Sequence, residues 1–434
     1  MIRPLALLLL TPAPLAAEPL EIPALAGVAA GRVVTIADAD HLASTYADGV
    51  LNPDAGAVDR LTVLTAGAEG WHAATAPVSN SVTAAPEILA VDAPGAMAYV
   101  VERLGPREEG VANARDLRPG TRLFAIDLDS ATVTAEATIA ALPEALALAP
   151  DGDRIATVSN PPEGAVLRIT AIEGAGFGAT RSVPLRALGI AGGAPHTAGG
   201  LTATNVQWHP SGEALALNLT TQDRVLFLRE TDAGWRVWGE AVETGRDPFV
   251  GRFTPDGGWY LTSDWGRDFT ATDLPGRLPE QSAAISVIRV GDLADAAPAH
   301  RRVGSALTDM AAEGLAISPD GTRVATINMR GTTLPEASGR RDRMASVSLL
   351  AFDAATGALA KIADSPLDGA LPEGGAFSTD GAHLLATVYE PHPEADGTPE
   401  SGAGLAVFRV TPEGLTPQGR VPLPRGTHHV AIAR

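Results

Sequence analysis

One phrase recurs along this chain: an apolar strand, a turn that ends in Gly, and a second apolar strand. It reads Leu146-Ala-Leu-Ala-Pro150-Asp151-Gly152, then Arg154-Ile-Ala-Thr-Val158. It returns at residues 206–217, 250–262, 315–327 and 376–388, with a looser copy at 88–101. Asp-Gly supplies the positive φ that a tight link between antiparallel strands needs, so each copy predicts a β-hairpin. A third apolar strand follows each hairpin, as at 123–128, 225–228, 285–288, 347–352 and 405–410. A fourth, more polar strand closes each unit. Four antiparallel strands repeated in this way predict the blades of a β-propeller.

The ends of the chain set the number of blades. Six hairpins begin near residues 87, 144, 204, 249, 313 and 373. Residues 428–433, His-His-Val-Ala-Ile-Ala, have the pattern of a first strand with no second. Residues 32–37, Arg-Val-Val-Thr-Ile-Ala, look like a second strand with no first, and a third follows at 61–64. Joined, the two ends make a seventh blade and remove two open sheet edges. The expected fold is all-β: a seven-bladed propeller over residues 18–434. The repeated Ser-Pro-Asp-Gly phrase, the export signal described below and the split last blade resemble seven-bladed YVTN/lactonase-like propellers. That resemblance covers most of the chain. It implies the fold, and it admits sugar-lactone hydrolases, propeller domains of redox enzymes and non-enzymatic exported proteins.

Residues 1–17 stand apart from the repeats. A short positive start, Met1-Ile2-Arg3, precedes a mostly apolar stretch to Leu15, and Ala16-Ala17 offers small residues before Glu18. This is the layout of a secretory signal peptide, with cleavage after Ala17. It predicts a periplasmic or secreted protein, and no later apolar run is long enough to span a membrane. The formal charge of −19 argues against nucleic acid as a partner, because phosphate binding needs a basic footprint. The absence of cysteine excludes disulfides, thiolate metal sites and a cysteine nucleophile.

In a propeller the first strand of each blade lines the central channel. The position six residues before the turn proline, or its equivalent, holds Glu87, Glu144, Thr204, Phe249, Glu313 and Glu373, and the terminal strand adds His428. Four carboxylates and an imidazole are thus expected at one mouth. Clustered carboxylates repel one another and are relieved by a cation or by arginines, so Glu87, Glu144, Glu313 and Glu373 are the expected ligands of calcium or magnesium. Zinc would want more histidines. The long loops between second and third strands lie on the same face and carry many arginines, among them Arg103 and Arg267, suited to an anionic ligand. Asp264, Trp265 and Asn328 end second strands at that mouth. His196 and His209 read as ordinary loop and turn residues.

The expected function is a monomeric exported propeller that binds a small anionic ligand, an ion or a partner protein at its loop-rich mouth. A lactonase-like or phosphoesterase-like hydrolase is the alternative. There a glutamate-bound cation would polarise the substrate, and a carboxylate or His428 would activate water. An interaction scaffold without a small-molecule site is the third reading. No Gly-x-Ser-x-Gly, His-Glu-x-x-His or phosphate-loop motif occurs.

Overall fold

The structure is a computed structural model, and it describes residues 19–190, 203–391 and 402–433. Residues 1–17, expected to be a signal peptide, and His196 lie outside the described residues. Seven antiparallel sheets form a ring, and each is one blade. Blade 1 consists of Leu89–Val91, Met97–Val101, Arg122–Asp127 and Thr132–Thr138. Blade 2 is Pro143–Leu148, Arg154–Ser159, Val166–Glu173 and Gly176–Pro184. Blade 3 is Asn205–Trp208, Ala214–Leu219, Arg224–Thr231 and Gly234–Val237, with the short strand Val242–Glu243 as a fifth. Blade 4 is Pro248–Phe253, Trp259–Asp264, Ala284–Arg289 and Arg301–Leu307. Blade 5 is Ala312–Ile317, Arg323–Asn328, Met344–Asp353 and Ala358–Asp368, and blade 6 is Gly375–Phe377, His383–Val388, Gly404–Thr411 and Gly414–Pro422.

Blade 7 closes the ring as expected. Thr427–Ala433 pairs antiparallel with Arg32–Ala37, with Val430 opposite Thr35 and Ala433 opposite Arg32. Arg60–Gly67 and Gly70–Pro77 complete the sheet. The first strand of the blade therefore comes from one end of the chain and the other three from the opposite end.

Burial grades outward across each blade. Second strands such as Ala214–Leu219 and His383–Val388 are buried throughout, because both of their faces pack against neighbouring blades. The outer strand Thr132–Thr138 alternates exposed with partly covered residues, as a sheet with one wet face should. At the hairpin turn after Ile317, Asp320 accepts from Ser318 Oγ at 2.5 Å and from the backbone N–H of Thr322 at 3.0 Å. Gly321 there takes φ 72°, which a side chain would strain.

The loop-rich face is not an open mouth. Its loops collapse into an apolar roof of Ala43, Val82, Phe249, Trp265, Leu278, Met329, Leu371 and Tyr389, all buried. The helical turns Thr45–Asp48 and Leu274–Arg277, from blades 7 and 4 on opposite sides of the ring, meet across it.

Candidate functional site

Beneath this roof lies a buried polar centre, and β-bulges aim much of it. The first strand of blade 2 breaks register between Pro143 and Ala145, so Glu144 is the extra residue. The same break falls at Phe249 in blade 4, at Glu313 in blade 5 and at His428 in blade 7. A bulge turns one side chain out of the strand's regular alternation. Glu87 and Glu373 reach their places differently, just ahead of the short first strands of blades 1 and 6.

Glu144, Glu87 and Glu373 each have a definite partner, whereas the buried Glu313 Oε2 has none among the described residues. Glu144 is buried and paired with the buried guanidinium of Arg103. Burial pushes Arg103 down to about 10. Glu87 is paired with Arg252 and accepts from Gln207 Nε2 at 3.1 Å. Glu373 is fully buried and accepts from the Tyr46 hydroxyl at 3.2 Å, while His428 Nδ1 stands 3.6 Å from its other oxygen. Burial, with Glu313 and Asp38 nearby, raises the Glu373 carboxyl well above the ordinary range. Burial pushes Glu313 up to about 8, despite the opposing pull of Arg267. His428 Nε2 is 2.8 Å from Asn80 Oδ1, and burial pushes its imidazole down to about 4. At neutral pH Glu313 is mostly protonated and His428 neutral.

Arg267 belongs to the same centre. It donates through Nε to Asp247 Oδ2 at 2.7 Å and through Nη2 to Asp247 Oδ1 at 3.0 Å. Its guanidinium lies over the rings of Trp265 at 4.0 Å and Phe249 at 4.4 Å. Asp264 and Asn328 instead serve their own blades. Asp264 accepts from Ser286 Oγ and Thr262 Oγ1, both at 2.6 Å, and burial pushes it up to about 7. Asn328 donates to Ser346 and Ser348 at 3.1 and 3.0 Å and is wholly buried.

The four glutamates expected to hold a cation therefore do not form one cage. Glu87 and Glu144 have arginine partners, and burial favours the neutral, protonated form of Glu313 and Glu373. Among the described residues no three His, Cys, Asp or Glu side chains are grouped so as to bind a metal ion.

Several residues of the centre were not among the expected ones. Asp38 and His41 form a buried pair at 2.8 Å. Burial works against the Asp38 charge, yet His41 and the backbone N–H of Val82 outweigh it and hold the carboxyl at about 2. Tyr46, Asp247 and Arg252 complete the set. Arg252 had a signal in the repeats. The position three residues beyond the aligned glutamate is alanine in five blades (residues 90, 147, 316, 376 and 431), and only Gln207 and Arg252 break the pattern. Both turn out to be the partners of Glu87.

Open space on the loop-rich face lies beside the roof. A cleft of about 560 Å³ is bordered by Arg246, Asp268, Arg277, Glu280 and Arg340, with Asp264 and Trp265 at its base. Arg246 and Asp268 form an exposed pair at 3.1 Å.

No protein-family model and no curated protein matches the sequence. Solved structures do match in fold. A protein from Lactobacillus plantarum aligns over 92% of this chain and 98% of its own at TM-score 0.61 and 14% identity. The Pseudomonas aeruginosa periplasmic gluconolactonase aligns over the same shares at TM-score 0.59 and 15% identity. A functionally unknown protein from Desulfotomaculum acetoxidans does so at TM-score 0.59 and 12% identity. This chain has the seven-bladed fold that these proteins share.

Proposed function

We propose that the protein is an exported binding propeller, and that the cleft on its loop-rich face takes a small hydroxylated acid of the sugar-acid class. The observation that carries this reading is the cleft itself. Its volume suits a small ligand, and guanidinium groups stand beside carboxylates along its border. The exposed Arg246–Asp268 pair can be exchanged at little cost, Arg246 turning to a ligand carboxylate and Asp268 accepting from hydroxyls. The fold shared with a gluconolactonase supports a sugar acid or its lactone as the first compound to try.

A second reading, a lactone hydrolase, is favoured by the buried centre. There Glu313 is an acid able to donate a hydrogen bond to a lactone carbonyl, and neutral His428 is a base able to accept a proton from water. Substrate would have to displace the roof. Calorimetry with gluconate, together with proton-release assays on glucono-δ-lactone, separates the readings. The binder reading expects gluconate binding that Arg246→Ala weakens at least tenfold, with no lactone turnover above the spontaneous rate. Turnover lost in Glu313→Gln would favour the hydrolase. Neither binding nor turnover would leave the scaffold reading. Export is tested by mass spectrometry of the native protein, which should begin at Glu18.

A further inference from the structure

The bore of the propeller is reached from the face opposite the roof. A cavity of about 390 Å³ opens there among the turn prolines of blades 3, 4 and 5. Its wall is apolar at Leu89, Ala316 and Ala376, and Gln207, Arg252, Thr254, Ser318 and His429 are among its polar lining. At the equivalent position five blades carry alanine, so Gln207 and Arg252 are the long side chains there.

Arg252 is held in place from below. Among the described residues, Glu87 is the single hydrogen-bond acceptor on its guanidinium, which has five N–H groups to give. The arginine side chain stays 28% exposed while the glutamate beneath it is 6% exposed, so the pair presents its cationic end to the cavity. His429 is buried at 4% exposure, and its Nδ1 has no hydrogen-bond partner among the described residues. An under-used guanidinium thus stands at one end of a cavity of mixed polar and apolar lining, with the His429 ring beside it.

We propose that this turn-face mouth is a binding site for a small organic monocarboxylate with a compact apolar body. The carboxylate takes the remaining N–H groups of Arg252, with Gln207 and His429 beside it, and the body lies against Leu89, Ala316 and Ala376. Arg252 is pre-set for this by its bond to Glu87, so little side-chain entropy is lost on binding. The site lies at the opposite end of the ring from the sugar-acid cleft and does not depend on it.

The test uses benzoate and its uncharged analogue benzamide, titrated by calorimetry into the full protein. Benzoate should bind and benzamide should bind at least tenfold more weakly. Glu87→Gln removes the internal carboxylate that competes for Arg252, so benzoate should bind at least tenfold more tightly than to wild type. Arg252→Gln should abolish binding. Since that change leaves a buried glutamate without its cation, the neutral double variant Glu87→Gln/Arg252→Gln serves if the single one does not fold, and it too should not bind. Equal binding of benzoate and benzamide, unchanged affinity in Glu87→Gln, or benzoate binding retained by the double variant would each overturn the proposal. Gluconate binding at the other face should be the same in all these variants.

Discussion

Glu313 should make the protein less stable as pH rises, and Glu313→Gln should remove that loss. In the unfolded chain the carboxyl titrates near its ordinary 4.5, and in the folded protein at about 8. Between those values the folded state holds a proton that the unfolded state has lost, so stability falls with increasing pH. At about 1.36 kcal/mol per pH unit, the loss is about 3 kcal/mol at pH 7 and roughly 5 kcal/mol above pH 8. Below pH 4.5 both states are protonated and the loss vanishes. Glutamine has the same shape and no charge to lose. The variant should therefore match wild type near pH 4.5 and be more stable by several kcal/mol at pH 8.5. Glu373 shares the penalty through its neighbouring charge, so Glu373→Gln should act in the same direction, and the double variant should gain less than the sum. Urea unfolding followed by tryptophan fluorescence at pH 4.5, 7 and 8.5 measures this. A stability difference that is the same at all three pH values would refute the reasoning, as would a Glu313→Gln protein weaker than wild type at pH 8.5.

Other perturbations follow from the same geometry. Deleting residues 427–434 removes the strand paired to Arg32–Ala37 and should lower the melting temperature by roughly 10 °C or more, read by differential scanning calorimetry. Arg267→Ala strands the wholly buried Asp247 and should cost about 3–5 kcal/mol in chemical denaturation. Arg267→Lys should recover only part of that, because an ammonium cannot form the two-pronged pair or stack on the rings. Gly426→Ala should cost roughly 2–4 kcal/mol by the same measurement. Its φ is +96°, and an added Cβ would lie 1.9 Å from the Asp38 carbonyl oxygen.

The blades and the closure were legible because each hairpin repeats one local code: apolar alternation around a turn that needs a glycine. Counting back from the turns placed Glu144, Glu313 and His428 at equivalent positions, and the shared register break is the physical basis of that equivalence. The roof was not legible. Its residues come from loops with no common pattern, and Ala43, Trp265 and Tyr389 reveal their association only when the ring brings them together. The same holds for Asp38, His41 and Tyr46, which enter the centre from one long loop of blade 7. Asp264 and Asn328 end their strands as expected. Which way their side chains turn depends on serines in the next strand, a pairing that strand-end position alone does not disclose. The cation expectation weighed only one way of relieving clustered charge. Buried carboxylates can lose their charge to a proton or to a neighbouring arginine as readily as to a metal ion.

The split blade also imposes an order on biogenesis. Synthesis runs from the N-terminus, so Arg32–Ala37 emerges early and waits with an unpaired edge while six other blades are made. Only Thr427–Ala433 can cover it. Until then the chain carries an apolar strand edge open to any extended segment nearby, which favours keeping it unfolded or chaperoned until synthesis is complete. A chain that stops short of that strand cannot close the ring and keeps the same edge exposed.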